Sequence, residues 1–225
     1  MNTIPKVKIC CIASLEEAQM AIEAGASAIG LVGPMPSGPG VISNERIAEI
    51  AAQIPSDIDT FLLTSETKVH KIVEHYKLVK TTTIQLVDAL EDRNYKALRI
   101  ALPNVKIVQV IHVLDATAIQ EAQEIAPQVD AILLDSGNPN LAVKTLGGTG
   151  KTHNWAISQQ IVAQINQAVY LAGGLKPENV GTAIRSVRAY GLDLCSGVRN
   201  NGKLDASKLA NFMAQVRETY RSIKD

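Results

Sequence analysis

The chain has 225 residues, with 22 acidic and 22 basic side chains and a formal net charge of zero. This balance gives no support for a nucleic-acid or polyanion-binding surface. The sequence shows no secretion signal and no apolar run of membrane-spanning length, so we expect a cytoplasmic protein with no membrane partner. The three cysteines, Cys10, Cys11 and Cys195, lack CxxC spacing, which favours free thiols over a disulfide framework or a zinc site.

The core must be built mainly from aliphatic residues. Hydrophobic residues make up 46% of the chain but aromatic residues only 4%, a composition typical of parallel sheets covered by helices. Apolar runs alternate with helical patterns along the whole sequence, without a low-complexity segment. The predicted strands are residues 7–11, 26–32, 58–63, 83–87, 105–113, 131–134, 168–172 and 192–195.

Helix-start signals follow the predicted strands. Ser14 is a predicted N-cap, with Glu17 as its capping-box partner. Asp92 is predicted to begin a later helix, and Pro177 is predicted to occupy the first turn of another. Strands that alternate with helices indicate parallel pairing.

Eight strand–helix units predict an α/β fold, a (β/α)8 TIM barrel, with residues 1–225 as a single domain. The remaining alternative is an open doubly wound sheet, which usually has fewer strands. In a barrel, function resides at the carboxyl ends of the strands. The candidate residues are therefore sought in the loops that follow each strand.

Glycine-bearing loops follow strands 6, 7 and 8 in succession. A nucleotide P-loop is excluded, because Thr145 stands where that motif requires glycine. Barrels of this kind often bind phosphate with the loops after strands 7 and 8, where glycine lets the backbone approach an anion closely. Each glycine could instead simply complete a turn, but three such loops favour phosphate. The predicted binding residues are Gly148, Thr149, Gly150, Gly173, Gly174, Ser196 and Gly197.

A candidate acid–base pair lies at the ends of strands 1 and 6. A Cys10 thiolate could remove a proton next to a carbonyl or imine, and a neutral Asp135 could protonate a leaving oxygen. This chemistry requires a lowered pKa for Cys10 and a raised pKa for Asp135. Because neighbouring strand residues point in opposite directions, only one of Cys10 and Cys11 is expected to face the barrel axis. A buried cysteine that serves only as a small hydrophobe is the alternative for Cys10, and Cys195 is predicted to serve packing.

Other polar side chains are less specific. His112 ends strand 5 and could contact a ligand or form a structural hydrogen bond. Lys144 and Lys151 could steer an anion or merely be solvated. The sequence has no cluster with metal-ligand spacing and no dinucleotide fingerprint, so neither a metal nor an organic cofactor is predicted.

Several segments resemble the phosphoribosylanthranilate isomerase family of tryptophan biosynthesis, and the match covers nearly the whole chain. The similar segments are Lys8-Ile9-Cys10, Leu133-Leu134-Asp135-Ser136, residues 147–152, Leu171-Ala172-Gly173-Gly174-Leu175 and Ser196-Gly197-Val198. Each motif is weak alone, but the joint pattern is highly specific.

The resemblance implies an intramolecular aldose–ketose isomerase that performs an Amadori rearrangement on N-(5-phosphoribosyl)anthranilate. It makes Cys10 the general base and Asp135 the general acid. It implies a phosphorylated small-molecule substrate, no cofactor, and a monomer or homodimer. The amides implied to hold the phosphate are those of Gly148, Gly173, Gly174, Ser196 and Gly197.

The chain departs from the family pattern on the side that would hold the anthranilate. The family carries Ser-Pro-Arg after its second strand, and this arginine is expected to pair with the carboxylate, whereas residues 36–43 contain no arginine. The family's histidine after strand 4 is Val87, its glycine after the cysteine is Cys11, and its glutamate after Ser-Gly-Val is Arg199.

Two alternatives follow from these departures. The first is a paralogue that isomerises a different phosphoribosyl amine lacking the carboxylate, and the second is a non-catalytic sugar-phosphate-binding barrel. Arg199, His112 and Lys144 are the candidates for a substitute cation.

Overall fold

The computed structural model describes residues 3–36, 38–138, 140, 146 and 150–224. Eight parallel strands form a closed barrel in chain order, and β8 pairs with β1. The prediction of a TIM barrel is therefore confirmed, and the open doubly wound sheet is excluded. The strands are β1 Lys6–Ile9, β2 Ala28–Val32, β3 Asp59–Thr64, β4 Thr83–Leu86, β5 Lys106–His112, β6 Ala131–Asp135, β7 Ala168–Leu171 and β8 Gly191–Leu194.

Helices surround the barrel and pack an aliphatic layer against it. Side chains such as Ile9, Ile29 and Leu62 are completely buried between strands and helices. No helix in the described ranges is long and apolar enough to cross a membrane. The helices are α1 Leu15–Glu23, α2 Asn44–Ala51, α3 Val69–Val79, α4 Tyr95–Ala101, α5 Thr117–Ile125, α6 Trp155–Gln164, α7 Val180–Val187 and α8 Ala206–Lys224.

The start of α1 confirms the predicted cap at Ser14 but changes the role of its partner. The Ser14 hydroxyl accepts a hydrogen bond from the Glu17 amide at 3.2 Å. The Glu17 carboxylate accepts from the Ala13 amide at 3.1 Å and forms an ion pair with Arg199. Glu17 thus links α1 to the segment after β8, beyond what a capping box alone provides.

Two predicted helix starts are wrong. Asp92 has φ 59° inside a short 3₁₀ turn, and the helix begins at Tyr95 because the Asn94 side chain caps it. Pro177 lies before α7, which begins at Val180. There the Asn179 side chain organises a turn instead, accepting from the Lys176 amide and donating to the Gly174 carbonyl.

The barrel interior contains a buried ion pair. Lys8 Nζ donates to Asp193 Oδ1 at 2.8 Å, and the two side chains are 0% and 9% exposed. The Lys8 ammonium also lies 5.0 Å from the centre of the Phe61 ring. Because Lys8 and Asp193 lie on neighbouring paired strands, the pair joins β1 to β8.

A small hairpin that the sequence pattern does not predict follows β8. It consists of β9 Arg199–Asn200 and β10 Lys203–Leu204, paired antiparallel. The hairpin places the Arg199 side chain beside the end of β1, where it contacts the backbone of both cysteines there.

Candidate active site

A cleft of about 670 Å³, partly open to solvent, lies among the carboxyl ends of the strands. This is the face on which TIM barrels carry their chemistry. Residues at or just after the ends of β1, β6, β7 and β8 line it, including Cys10, Asp135, Gly173 and Ser196. The structure therefore brings the predicted acid–base residues and three of the predicted glycine-bearing loops to one cavity.

Cys10 and Asp135 both line this cleft and are both buried. Cys10 directly follows β1, and a Cβ atom placed on Gly30 would lie 2.8 Å from its sulfur, so the glycine leaves the space that the thiol occupies. Asp135 is the last residue of β6, and its carboxylate accepts from the Ser136 amide at 2.7 Å. Burial raises the pKa of Asp135, and the opposing effects of the Ser136 amide and of His112 are smaller. A carboxyl that keeps its proton to higher pH is suited to act as an acid.

Lys8 lies beneath the Cys10 thiol, and the sequence interpretation assigned it no role. The same Cβ placed on Gly30 would lie 3.1 Å from the Lys8 ammonium, so the ammonium and the Cys10 sulfur are within about 6 Å of each other. Burial disfavours the charged ammonium, but attraction by Asp193 and Cys10 outweighs this and raises the pKa of Lys8. Strand alternation indicates this proximity in the sequence, because Lys8 and Cys10 lie on the same face of the strand.

The expectation that only one of Cys10 and Cys11 faces the cavity is wrong. Both line the cleft, because Cys11 lies beyond the end of β1 and has φ 62°, a left-handed conformation that breaks strand alternation. The Cys11 side chain packs over Gly40, where an added Cβ would lie 2.5 Å from the cysteine Cβ. Cys195 packs against the buried cluster at the barrel mouth, as predicted, and it also lines the cleft.

Arg199 is held by groups of the protein and does not offer a free cation to a ligand. Its Nη2 donates to the carbonyl of Cys11 at 2.6 Å and to that of Cys10 at 3.2 Å, and its Nη1 donates to Glu17 Oε1 at 2.8 Å. The arginine side chain is only 8% exposed. We refer to Arg199 with Glu17 as the arginine clamp, because it fixes the backbone that carries both thiols.

Of the other candidate cations, His112 does not line this cleft. His112 Nε2 is hydrogen-bonded to the Val87 carbonyl at 3.1 Å, and its ring borders a different cavity together with Glu121. This supports the structural reading of His112. Lys144 lies outside the described residues.

We refer to one part of the cleft lining as the glycine end, which consists of Gly150, Gly173, Gly174 and Ser196. Gly173 and Gly174 have φ of 82° and 62°, and a Cβ on Gly174 would lie 2.6 Å from the Lys151 carbonyl carbon. The loops after β6 and β7 are therefore packed backbone against backbone. The predicted residues Gly148 and Thr149 lie outside the described residues.

Gly197 has a steric role in addition to the phosphate contact that the sequence predicts. A Cβ there would lie 1.9 Å from the Leu175 carbonyl oxygen, so only glycine fits. This contact holds the loop after β8 against the loop after β7. The neighbouring Ser196 reaches the cleft itself.

Another part of the cleft lining is apolar. Among the described residues that line the cleft there is no lysine, arginine or histidine. Gln85 is buried and lines the cleft, and its side-chain oxygen has no hydrogen-bond partner among the described residues. We refer to this part of the lining as the apolar wall, which consists of Val32, Met35, Leu63, Val87 and Leu146.

A closed (β/α)8 barrel with a thiol, a protonatable carboxyl and glycine loops at one mouth has the architecture of a TIM-barrel enzyme. The family model for N-(5'phosphoribosyl)anthranilate (PRA) isomerase matches residues 7–215. The chain belongs to this family.

Curated relatives match over almost their whole length. The chain is 34% identical to N-(5'-phosphoribosyl)anthranilate isomerase 2 of Methanosarcina mazei, covering 98% of this chain and 97% of that protein. It is 33% identical to the N-(5'-phosphoribosyl)anthranilate isomerase of Haloferax volcanii, covering 98% and 96%.

Solved structures agree with this relationship. The phosphoribosyl anthranilate isomerase of Thermotoga maritima has a TM-score of 0.79 at 28% identity, covering 95% of this chain and 99% of that one. The structure of a phosphoribosyl anthranilate isomerase in complex with reduced 1-(o-carboxyphenylamino)-1-deoxyribulose 5-phosphate has a TM-score of 0.76 at 25% identity, covering 95% and 99%.

Proposed function

We propose that this protein catalyses the Amadori rearrangement of N-(5'-phosphoribosyl)anthranilate, as an intramolecular aldose–ketose isomerase of tryptophan biosynthesis. The observation that carries the proposal is the presence of Cys10 and Asp135 in one cleft with the glycine end. Family membership supports the same reaction.

Asp135 acts first, as the general acid. Its raised pKa leaves a proton on the carboxyl, and transfer of that proton to the furanose ring oxygen opens the ring to a Schiff base. Burial makes the ionised carboxylate costly until a positive iminium forms nearby, which then favours the carboxylate.

Cys10 acts second, as the general base. Its thiolate removes the C2′ proton of the Schiff base, giving an enolamine that converts to the ketone. The Lys8 ammonium lies below the sulfur. The arginine clamp holds the carbonyl of Cys10 and so orients the base.

The two ends of the cleft divide the substrate between them. Backbone amides of Gly173, Gly174 and Ser196 bind the phosphate, with Gly148, Thr149, Gly150 and Gly197 in the same loops. The aromatic ring of the amine packs against the apolar wall. No step of this scheme requires a metal or an organic cofactor.

The test is turnover of phosphoribosylanthranilate, followed by the loss of its anthranilate fluorescence, for the wild type, Cys10→Ala and Asp135→Asn. We expect activity in the wild type and a loss of about 10²–10⁴ in each variant. Wild-type activity retained in both variants would overturn the assignment of the acid and the base. Rescue of an isomerase-deficient tryptophan auxotroph tests the substrate in cells.

A second candidate has its own supporting observation. Because no cation lines the described part of the cleft, the preferred substrate could be a phosphoribosyl amine without a carboxylate, since a bidentate guanidinium contact is not replaced by glycine. N-(5-phosphoribosyl)aniline is the matched probe. A higher kcat/KM for the aniline compound, together with failure to complement, supports the second candidate, whereas preference for the anthranilate compound contradicts it. Tight phosphate-ester binding without any turnover would instead indicate a binding barrel.

We further propose that the chain works in the cytoplasm as a single-domain barrel that is a monomer or homodimer. A dimeric isomerase from Thermotoga maritima is among the structural neighbours, and the described helices include none that could span a membrane. Light scattering with size-exclusion chromatography distinguishes the two assembly states.

A further inference from the structure

All three cysteines of the chain line the cleft, and all three are free thiols. The Cys10 amide donates to the Leu194 carbonyl at 2.9 Å, so the chain at Cys10 and Cys11 runs beside the segment that begins at Cys195. The proposed isomerisation uses Cys10 alone. Two nucleophilic groups therefore stand beside the cleft without a role in that reaction.

The environments of these two thiols differ. The hydrogen bond from Cys11 and the charge of Arg199 lower the pKa of Cys195 in spite of its burial. Hydrogen bonding to Cys10 and Cys195, together with burial, raises the pKa of Cys11. Cys195 is also the only one of the three that is not fully buried. One thiol is thus suited to attack and its neighbour is suited to stay protonated until needed.

We propose that Cys195 and Cys11 form a modification site for hydroperoxides, in which Cys195 is the peroxide-reactive thiol and Cys11 is the resolving thiol. The clamp residue Arg199 stands beside both. The open cleft gives a small oxidant access to the pair. The site is distinct from the acid–base pair and does not depend on the isomerase reaction.

The chemistry proceeds in two balanced steps. The Cys195 thiolate attacks the distal oxygen of the hydroperoxide, the O–O bond breaks, and a sulfenic acid and an alkoxide are formed, the latter taking a proton to become the alcohol, or water when hydrogen peroxide reacts. Cys11 then attacks the Cys195 sulfur, the S–O bond breaks, and hydroxide leaves as water with the Cys11 proton. The two thiols together supply the two electrons that reduce the peroxide.

Cys10 is an unsuitable disulfide partner for its neighbour Cys11. Adjacent residues have Cα atoms about 3.8 Å apart across a trans peptide, whereas disulfides usually join Cα atoms roughly 4.4–6.8 Å apart. A Cys10–Cys11 bond would therefore be strained. Cys195 instead follows Leu194, whose carbonyl accepts from the Cys10 amide, and the Arg199 side chain joins the segment after β8 to the Cys11 carbonyl.

The test is treatment of the reduced full-length protein with an equimolar amount of hydrogen peroxide, followed by intact-mass measurement and tryptic mapping. Trypsin places Cys195 on the peptide 189–199 and the other two cysteines on the peptide 9–46. We expect a loss of two hydrogens and a cross-link between these peptides in the wild type and in Cys10→Ser. We expect no cross-link in Cys11→Gly or Cys195→Ser.

The Cys11→Gly variant makes the test specific, because glycine accepts the left-handed backbone and the first step should still occur. Trapping with dimedone is expected to label Cys195 in this variant at least tenfold more than in the wild type. Circular dichroism spectra matching the wild type establish that each variant is folded. A cross-link that persists in Cys11→Gly, or a wild-type protein that forms none under equimolar peroxide, would overturn the proposal.

Discussion

The glycine end and the apolar wall are built in different ways, although both border one cleft. At the glycine end the backbone itself forms the surface, and the loops are packed so closely that a Cβ on Gly174 would meet the Lys151 backbone at 2.6 Å. The apolar wall consists of side chains such as Met35 and Val87, whose replacement need not disturb the backbone.

This difference explains where the sequence keeps the family pattern and where it departs from it. A surface made of backbone amides tolerates few substitutions, because the required φ and the close contacts both demand glycine. A surface made of side chains can be altered one residue at a time, as Val87 and residues 36–43 illustrate. The chemistry of the reaction end can therefore persist while the specificity of the other end changes.

The largest expected effect comes from replacing the proposed general acid, which belongs to neither the glycine end nor the apolar wall. Asp135→Asn should lower kcat by about 10²–10⁴, with little change in KM because neither the glycine end nor the apolar wall is touched. Steady-state kinetics on phosphoribosylanthranilate measure this. A comparable fall in kcat/KM that comes only from a higher KM would mean that Asp135 binds substrate and does not transfer the proton.

Asp135→Asn is also expected to change how the free energy of unfolding depends on pH. Because burial raises the pKa of Asp135 in the folded state, the folded protein binds more protons than the unfolded chain between the ordinary and the raised pKa. Stability therefore falls as pH rises through that interval, with a slope of up to about 1.4 kcal/mol per pH unit. Asp135→Asn should lack this slope and be more stable than the wild type near neutral pH. Urea unfolding across pH 4–8 tests this, and parallel profiles would contradict it.

The second effect concerns the glycine end. Gly197→Ala places a Cβ 1.9 Å from the Leu175 oxygen, so the two loops must separate, at a cost of roughly 1–3 kcal/mol in unfolding free energy and with a rise in KM. Gly202→Ala is the control, since its Cβ would meet nothing within 4 Å although its φ of 79° adds some strain. Equal destabilisation of the two variants would show that the close contact is unimportant.

Much of this arrangement could be predicted from sequence and some could not. Alternating apolar runs and helical patterns located all eight strands, and strand ends brought Cys10 and Asp135 to one mouth. The arginine clamp could not be foreseen, because Arg199 and Glu17 are 182 residues apart and no local pattern couples them. The orientation of Cys11 was missed because alternation applies only within a strand, and its backbone leaves β1 in a left-handed turn.

The third prediction tests the arginine clamp, which contacts the backbone at the end of β1. Arg199→Gln should lower kcat about tenfold and leave KM within twofold, because the guanidinium contacts the carbonyls of Cys10 and Cys11 and does not reach substrate. Glu17→Gln should have a smaller effect of the same kind. Partial rescue of Arg199→Ala by added guanidinium would support positioning, and a pure KM defect would contradict it.

The matched control for the clamp is an exposed pair of similar geometry. Arg46 and Glu49 form an ion pair at 2.7 Å with side chains that are 38% and 49% exposed. Exposed pairs of this kind contribute little, so Arg46→Gln should leave kcat unchanged and stability within about 0.5 kcal/mol. A loss equal to that of Arg199→Gln would point to a general charge effect.

The smallest predicted effect concerns the left-handed backbone conformation of Cys11 and its contribution to the unfolding free energy. Cys11→Gly and Cys11→Ala both remove the thiol, but only glycine adopts φ 62° without a steric cost. Left-handed backbone costs a non-glycine residue roughly 1–2 kcal/mol, part of which the greater freedom of glycine in the unfolded chain offsets. Cys11→Gly should therefore exceed Cys11→Ala in unfolding free energy by about 1 kcal/mol. If chemical denaturation instead finds alanine equal or better, the turn must relax without the thiol, and the cysteine side chain itself holds the end of β1 against Gly40.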